Sequence, residues 1–362
     1  MKSKKILFPA IHRPERSPSQ RYRFEQYFNY LKYKDVSVTY SYLISKKDDQ
    51  YYHQPGHVFR KVIIFIKAVF IRFYDVLRAP FYDTVFIQRE AFMLGTLVFE
   101  RLFKLMAKHI VFDFDDAIWM QQPRVRNNLH FLKSPSKTKK IIQLTDVVLA
   151  GNQFLADYAS QFNENTFMLP TVVDTDYYKP IVKGRSNKIV IGWSGSPTTI
   201  NHFKYIEEPL SEILRRYGNK IEIIVYGDES YKNEKLGVKG IRWSKETEKE
   251  VIGGYDIGIM PLEDNEWERG KCGMKALLYM SMGIATIASP VGVNTAIIGE
   301  NEFGILANKA QDWVEKFSLL IENECIRKKI SEKGRMRAIE KYSVLSVKEL
   351  FYQKAIKKPS CF

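Results

Sequence analysis

The strongest chemical signal in the sequence is a pair of lysines, Lys271 and Lys275, in the segment ERGKCGMK at residues 268–275. The segment follows one predicted strand and opens a predicted helix, so both lysines belong to the first helical turn, four positions apart on one face. Free backbone amides at a helix N-terminus and two ammonium groups would together neutralise a diphosphate. A solvated basic turn is the alternative, but the neighbouring Gly270 and Gly273 favour an anion-binding site.

A second strand-to-helix loop has the composition of an anion cradle. Ser194, Gly195 and Ser196 follow a predicted strand, and Pro197 suits the first turn of a helix that is predicted to begin near Thr198. Glycine lets the backbone approach a ligand, and the amides of a helix N-terminus favour negative charge. Short Gly/Ser turns also occur without any ligand, so an ordinary turn stays the alternative here.

Acidic side chains end a predicted strand in the first half of the chain. Asp113, Asp115 and Asp116 follow the apolar run HIVF, and Arg89 and Glu90 end a neighbouring predicted strand. An Asp-x-Asp pair can hold a divalent cation, because carboxylate oxygens are ligands that Mg²⁺ and Ca²⁺ prefer. The alternatives are contacts with a substrate and structural capping of the next turn.

These residues must be positioned by alternating strands and helices. Short runs of Val, Ile and Phe alternate with helical patterns along the chain, which predicts an α/β fold with parallel strands and crossover helices. The turn-rich segment 169–188 is the best linker candidate. We therefore expect two doubly wound, Rossmann-like domains, 1–180 and 181–340, with 341–362 forming a helix that crosses back to the first. Ligands of such sheets bind at the carboxyl ends of the strands, so two facing domains imply an interdomain cleft. The predicted strands are Lys5–Pro9, Val36–Leu43, Thr84–Gln88, His109–Phe114, Val147–Ala150, Thr166–Leu169, Ile189–Trp193, Ile221–Tyr226, Ile257–Met260, Ala285–Ala288 and Gly304–Leu306.

Composition narrows the classes of function. Among 362 residues, 56 Lys and Arg stand against 41 Asp and Glu, and the net charge of +15 predicts a polyanionic partner such as phosphorylated substrates, anionic lipid or nucleic acid. Three scattered cysteines do not suggest a disulfide framework or a zinc site. The basic N-terminus is followed by only a short apolar run, and no uncharged apolar stretch is long enough to span a membrane, so we expect a cytoplasmic protein.

Residues 58–79 are predicted to form one amphipathic helix. At about 100° per residue, its basic residues fall within an arc of about 140°, and aromatic and aliphatic residues occupy the opposite side. A basic face next to an apolar one suits an anionic membrane surface, whereas the competing interpretation is an ordinary helix packed on its sheet. The basic residues are Arg60, Lys61, Lys67, Arg72 and Arg78, and the apolar ones are Phe65, Ile66, Val69, Phe73, Val76 and Leu77.

Several segments together resemble a known family, the family 4 glycosyltransferases. YMSMGIATIASPVGVN at the end of the lysine-containing stretch is similar to the family's Met-Ala-x-Gly-like turn with its proline-containing strand. SPSQRYRFEQYFNYL at 17–31 resembles the first loop and helix, and DIGIMPL at 256–262 the penultimate strand. TDVVLAGNQFLADYA and LPTVVDTDYYKP resemble the segment that closes the N-terminal domain. The resemblance covers nearly the whole chain and implies the GT-B architecture.

The resemblance implies a retaining transfer of sugar from a nucleotide diphosphate sugar to a lipid-linked or saccharide acceptor, as in bacterial capsule, O-antigen or exopolysaccharide synthesis. The family's usual pair of glutamates aligns with Gly270 and Leu278, so both carboxylates are missing. Glu268 or Glu266 is expected to take the place of one glutamate, and Arg269 to carry part of the phosphate charge.

The expected site has three parts. The catalytic residues are Asp115, Asp116, Lys271 and Lys275; the donor-binding residues are Ser194, Gly195, Ser196, Gly227, Trp243, Glu268, Arg269, Gly270 and Gly273; and the acceptor-side residues are Arg21, Arg89 and Glu90. Trp243 is equally well explained as a core residue. No metal and no cofactor are expected, only the nucleotide sugar as co-substrate.

Two rival functions remain. A nucleotide-sugar epimerase or a phosphorylase can have the same two-domain architecture, and the basic surface could bind nucleic acid. The sequence contains no helix-turn-helix, zinc or aromatic RNA-binding signature, which argues against nucleic acid. The expected location is the cytoplasm, with peripheral contact at the inner face of the cytoplasmic membrane through residues 58–79.

Overall fold

A computed structural model describes residues 3–52, 54–120, 136–182, 184 and 187–357. The chain forms two compact units, Met1–Thr171 together with Val347–Phe362, and Val172–Ser346. Both units consist of a parallel sheet with helices, so the predicted α/β class with two Rossmann-like domains is confirmed. None of the helices in the described residues is both long and apolar enough to cross a membrane.

The first unit is built on a six-stranded sheet in the order β2-β1-β3-β4-β5-β6, in which every neighbouring pair is parallel. All residues of β3, β4 and β5 are buried, as expected for parallel strands covered on both faces. The strands are β1 (Lys4–His12), β2 (Val36–Ile44), β3 (Thr84–Gln88), β4 (Ile110–Phe114), β5 (Val147–Ala150) and β6 (Thr166–Met168).

The helices of the first unit are α1 (Pro18–Arg23), α2 (Phe28–Tyr33), α3 (Lys46–Tyr52), α4 (Val58–Arg78), α5 (Val98–Met106), α6 (Ser136–Leu144) and α7 (Gln153–Ser160), with 3₁₀ turns at Glu25–Tyr27 and Ala79–Phe81. The C-terminal part of the chain completes this unit. Phe351 is fully buried there, and its ring stacks on that of Tyr27 with 4.1 Å between the centroids.

The second unit is built on a five-stranded parallel sheet in the order β13-β12-β11-β7-β8. Trp193, Phe203 and Trp313 are fully buried in its core. The strands are β7 (Ile189–Ser194), β8 (Ile221–Tyr226), the antiparallel hairpin of β9 (Lys232–Asn233) and β10 (Val238–Lys239), β11 (Ile257–Met260), β12 (Ala285–Ala288) and β13 (Ile305–Leu306). The helices are α8 (Ile200–Lys204), α9 (Glu207–Tyr217), α10 (Lys245–Gly253), α11 (Glu266–Arg269), α12 (Met274–Ser281), α13 (Asn294–Ile298), α14 (Ala310–Glu322) and α15 (Glu324–Tyr342), with a 3₁₀ turn at Gly218–Lys220. The last helix, α16 (Val344–Ala355), begins in this unit and from Val347 onward belongs to the first unit.

Every strand predicted from the sequence is present, with small differences at the ends. The hairpin of β9 and β10 was not predicted, because two-residue strands carry no detectable periodicity. The helix after β7 begins at Ile200 rather than near Thr198. A local turn precedes it, since the Thr199 amide donates to the carbonyl oxygen of Ser196 at 2.9 Å.

The basic and apolar sides predicted for the helix at 58–79 do not coincide with the exposed and buried sides of α4. Its core-facing side contains Ile64, Ala68, Val76 and also Arg72, which is fully buried. Arg72 is stabilised by the equally buried carboxylate of Asp75 at 2.7 Å and donates a second hydrogen bond to a backbone carbonyl at 2.9 Å. Arg72 therefore does not belong to an exposed basic face, because a buried partner three residues away holds it against the sheet.

Candidate functional site

Two glycines bring the ends of β7 and β8 into contact in the second unit. Gly227 has a φ of +117°, and a Cβ there would lie 2.0 Å from the carbonyl oxygen of Gly195. A Cβ on Gly195 would lie 2.2 Å from the ring of Trp193. Both positions therefore require glycine for close packing of backbone. These two predicted donor-site residues lie side by side.

The serines beside Gly195 are held by neighbouring side chains. The backbone amide of Ser194 donates to the hydroxyl of Tyr279 at 2.8 Å, and the two hydroxyls lie 2.9 Å apart, which ties β7 to α12. Burial raises the pKa of Tyr279, so its hydroxyl is neutral. The amide of Ser196 donates to Oγ1 of Thr199 at 3.0 Å. Both amides are thus already satisfied by side-chain hydroxyls, whereas the sequence predicted amides that are open to a ligand.

The lysine-containing loop connects α11 to α12 at the carboxyl end of β11. Gly273 is the N-cap of α12, with a φ of +70°, and a Cβ there would meet the side chain of Ile297 at 2.2 Å. Gly292, in the loop after β12, packs against the backbone of Arg269, because a Cβ on Gly292 would lie 2.7 Å from the Arg269 carbonyl oxygen. The loop after β12 therefore supports the lysine-containing loop from one side.

Lys271 and Lys275 lie near aromatic rings of this loop and of β7. The Nζ atom of Lys275 is 5.5 Å from the ring centroid of Trp193, and that of Lys271 is 5.2 Å from the ring centroid of Trp267. Arg269 instead is exposed, and its Nε donates to Oδ1 of Asp264 at 2.8 Å. The charge of Arg269 is therefore compensated by Asp264, and this ion pair does not involve Lys271 or Lys275.

A histidine and a glutamate lie beside the lysines, and sequence reasoning identified only the glutamate. Nε2 of His202 on α8 is 2.9 Å from Oε1 of Glu268 on α11. Burial lowers the pKa of His202, and the positive charges of Lys275 and Lys271 lower it further. The hydrogen bond to Glu268 and the charge of that carboxylate act in the opposite direction, but the pKa stays below its usual value. Among the described residues, the buried Nδ1 of His202 and Oε2 of Glu268 have no hydrogen-bond partner.

The His202–Glu268 pair joins residues 66 positions apart, so no spacing rule points to it. The only local signal is that His202 follows the Ser-Gly-Ser loop within one helical turn of its helix start. The pair places one carboxylate next to two lysines, where a polar ligand with both hydroxyl and phosphate groups would find acceptors and cations together.

Trp243, predicted to contact the donor, is anchored by a carboxylate. Its indole nitrogen donates to Oε1 of Glu248 at 2.9 Å, and the side chain is half-buried. Glu248 also accepts a hydrogen bond of 2.5 Å from the hydroxyl of Tyr178. The hydrogen bond to Glu248 therefore holds the Trp243 side chain in place, while part of its ring stays exposed.

Three predicted residues of the first unit form one cluster at the carboxyl ends of β3 and β4. Nε of Arg89 donates to Oδ1 of Asp115 at 2.8 Å, and Nη2 of Arg89 pairs with Asp116. Ser19 donates to the second oxygen of Asp115 at 2.5 Å. Burial alone would lower the pKa of Arg89, but the charges of the two carboxylates raise it. Arg89 also has a positive φ of 62°, a conformation typical of residues that the surrounding structure holds in place for function.

Asp113 has a different partner from the rest of the acidic segment. Nη2 of Arg23 lies 2.5 Å from Oδ1 of Asp113, and the two side chains are 1% and 0% exposed. Arg23 also donates to the carbonyl oxygen of Leu169 at 2.7 Å. The Asp-x-Asp pair is therefore divided between two ion pairs. Within the described residues, no three His, Cys, Asp or Glu side chains are grouped as metal ligands.

The two remaining acceptor-side residues hold local structure. Nη2 of Arg21 donates to the hydroxyl of Tyr22 at 2.6 Å, and the Arg21 guanidinium lies 4.8 Å above that ring. Glu90 is 3.0 Å from Nζ of Lys137, which also donates to the carbonyl oxygen of Leu94 at 2.7 Å.

Comparison with known proteins identifies the second unit. Residues 188–323 match the family model of group 1 glycosyl transferases. No curated protein matches the chain at the sequence level.

Solved structures resemble the chain over nearly its full length. Sucrose-phosphate synthase from Thermosynechococcus elongatus is 11% identical, with a TM-score of 0.68 over 97% of this chain and 98% of that one. A glycosyltransferase from Rickettsia africae is 15% identical, with a TM-score of 0.68 over 99% of this chain and 100% of that one. Anabaena HepE in complex with UDP and glucose is 14% identical, with a TM-score of 0.66 over 97% and 98%. The TM-scores over nearly the full length of the chain establish a shared fold, and the GT-B fold predicted from the sequence is confirmed.

The chain therefore has the GT-B fold, and its residues 188–323 are similar to the group 1 glycosyl transferases.

Proposed function

We propose that the protein transfers a sugar from a nucleotide diphosphate sugar to a saccharide or lipid-linked acceptor, with retention of anomeric configuration, in the assembly of a bacterial surface polysaccharide. The observation that carries the proposal is the lysine-containing loop inside the group 1 domain, where Lys271 and Lys275 approach the His202–Glu268 pair. A uridine diphosphate sugar is the first donor to test, because HepE was solved with UDP-glucose.

The two lysines would bind the diphosphate and stabilise the charge that develops on it as the sugar departs. Electrostatic stabilisation of a leaving group is worth most when the charges are positioned before the reaction. Glu268 would accept a hydrogen bond from a hydroxyl group of the donor through its unpartnered oxygen, in place of the missing family glutamate. In retaining transfer the acceptor would attack on the face that the diphosphate leaves, and a diphosphate oxygen would accept the acceptor proton.

In the first unit, Asp115 and Asp116 are proposed to bind acceptor hydroxyls. Arg89 holds both carboxylates in ion pairs, and their oxygens would accept hydrogen bonds from acceptor hydroxyls. Arg21 and Glu90 would act on the acceptor indirectly, since each is engaged with a neighbouring side chain. No metal is assigned a role in this proposal.

A thermal-shift screen against nucleoside diphosphates and their sugars tests the donor class, because a ligand that binds only the folded state raises the melting temperature. Transfer is then measured with a labelled donor and a panel of saccharide and lipid-linked acceptors, and the anomeric configuration of the product is read by NMR. Stabilisation by no nucleotide would refute the proposal. Conversion of the sugar nucleotide without any acceptor would instead favour an epimerase.

A further inference from the structure

We infer that the solvent-facing side of α4 inserts its apolar side chains into the interface of an anionic lipid bilayer. This inference is independent of the donor chemistry, because it concerns a helix of the first unit. The side chains involved, called here the apolar stripe, are Phe59, Val62, Ile63, Ile66, Phe70, Phe73, Tyr74 and Leu77.

The apolar stripe is exposed along the whole helix. Phe59 is 78% exposed, Phe70 71% and Leu77 66%, and the least exposed member is still 43% exposed. At about 100° per residue, the stripe occupies an arc of about 120° and extends for about 27 Å. The opposite side of the helix is the one that packs, through Ile64 and Ala68. Phe73 contacts the ring of Phe99 on α5, with 5.2 Å between the centroids, but no residue of the stripe is less than 43% exposed, so the described residues leave most of the stripe uncovered.

The stripe is larger than a soluble protein normally exposes. With about 150–250 Å² available for each aromatic side chain, its exposed area is on the order of 800 Å², against roughly 300–600 Å² for the largest apolar patch of a typical monomer. The apolar surface continues beyond α4, because Phe81 is 74% exposed in the following turn. An area of this size indicates an interaction surface.

The charges around the stripe match an anionic partner. The acidic residues of α4 and α5, Asp75 and Glu100, are both buried, so the exposed charges of these two helices are basic. Arg60 and Arg101 are exposed, and neither is ion-paired with a carboxylate that the structure describes. Lys67, next to the stripe, is exposed and pairs with a carboxylate of α3.

A bilayer interface fits these observations better than a second copy of the chain. Two copies that met through the stripe would also bring their basic borders together, which is repulsive. An anionic bilayer offers an apolar layer for the stripe and negative headgroups for the arginines at the same time. The sequence-based expectation is thereby revised, because the exposed side of the helix is mainly apolar and only part of the basic arc borders it.

Co-sedimentation of the full chain with vesicles of phosphatidylglycerol and phosphatidylcholine tests the inference. Replacing Phe59, Phe70 and Leu77 by Gln should weaken binding at least ten-fold, and the fold should survive because these side chains are exposed. A matched control replaces three equally exposed apolar residues on other helices, Tyr33→Gln, Met336→Gln and Leu345→Gln, and should bind as wild type does. Removing Arg60 and Arg101 should cost about five-fold each on anionic vesicles.

Salt separates insertion from simple electrostatic adsorption. Raising the ionic strength to about 1 M shortens the Debye length to about 3 Å, so arginine contacts weaken while apolar insertion persists. Residual binding of wild type, but not of the stripe variant, is the expected result. Equal binding of the stripe variant and the matched control would overturn the inference. So would a wild type that ignores vesicles but dimerises through the stripe in sedimentation analysis.

Discussion

Removal of the carboxylate of Asp113 should destabilise the first unit severely. In the native protein this carboxylate receives three contacts from Arg23, at 2.5, 3.1 and 3.2 Å, and neither side chain is more than 1% exposed. Arg23 would keep its hydrogen bonds to the Leu169 carbonyl oxygen at 2.7 Å and the Thr171 hydroxyl at 3.4 Å, neither of which carries a full negative charge. Loss of one partner from a buried ion pair costs about 3–5 kcal/mol. We expect the loss of stability for Asp113→Asn to lie near the lower end of this range, because an amide oxygen can still accept a hydrogen bond from Arg23. The loss for Asp113→Ala should lie near the upper end.

The measurement must separate the two units. Urea unfolding followed by hydrogen-exchange mass spectrometry does so, because peptides from β4 report on the first unit and peptides from β11 on the second. With an m-value of about 2–3 kcal/mol per molar urea, the midpoint for β4 should fall by roughly 1–2 M. The midpoint for β11 should not change.

Two controls test the physical reason. Asp115→Asn removes a carboxylate whose partner Arg89 is 33% exposed, and should cost about 1 kcal/mol or less. The double variant Arg23→Met with Asp113→Leu removes both charges, and should be more stable than Asp113→Ala because no buried charge is left unpaired. A loss below about 1 kcal/mol for Asp113→Ala would refute the reasoning. A stable Asp113 variant with altered metal dependence would revive the Asp-x-Asp metal site.

Four further predictions concern the second unit and the reaction. Lys271→Ala and Lys275→Ala should each weaken nucleoside diphosphate binding about ten-fold or more in calorimetry, since a hydrogen bond to a charged group is worth about 1.5–3 kcal/mol; unchanged affinity in both would remove the lysines from the donor site. Because burial lowers the pKa of His202, the folded protein binds a proton at this imidazole less readily than the unfolded chain does, so its stability should fall as the pH drops below about 6.5. The variant His202→Gln should flatten that part of the stability profile. An identical profile for the variant and the wild type would contradict this assignment. Gly195→Ala should reduce both stability and nucleotide affinity because its Cβ would collide with a buried ring, and a variant that retains both would show that the loop can move. Transferase activity should persist in EDTA, and loss that manganese or magnesium restores would overturn the proposed mechanism.

Some features of the protein were readable in the sequence because they depend on local pattern. Continuous apolar runs bounded by turns predicted the buried parallel strands, since a strand covered on both faces has no polar side to display. The start of α12 was also readable, because Gly273 and Lys275 lie two positions apart at one helix N-terminus, although Lys271 precedes the helix and does not share its first turn as predicted. The site residue that sequence reasoning missed, His202, is paired instead with a residue far away in the chain, which no local pattern reveals.

Only the tertiary structure decided which charges pair. Arg23 and Asp113 are 90 positions apart, and His202 and Glu268 are 66 apart, so crossover connections and not periodicity bring them together.

The side of α4 that packs on the sheet was also decided by the tertiary structure. Apolar residues occur on both its core-facing and its outward sides, so periodicity alone did not identify the side that packs. The sheet below selected the side that contains Arg72, because the buried carboxylate of Asp75 compensates that charge and the fold supplies a backbone carbonyl for the remaining donor.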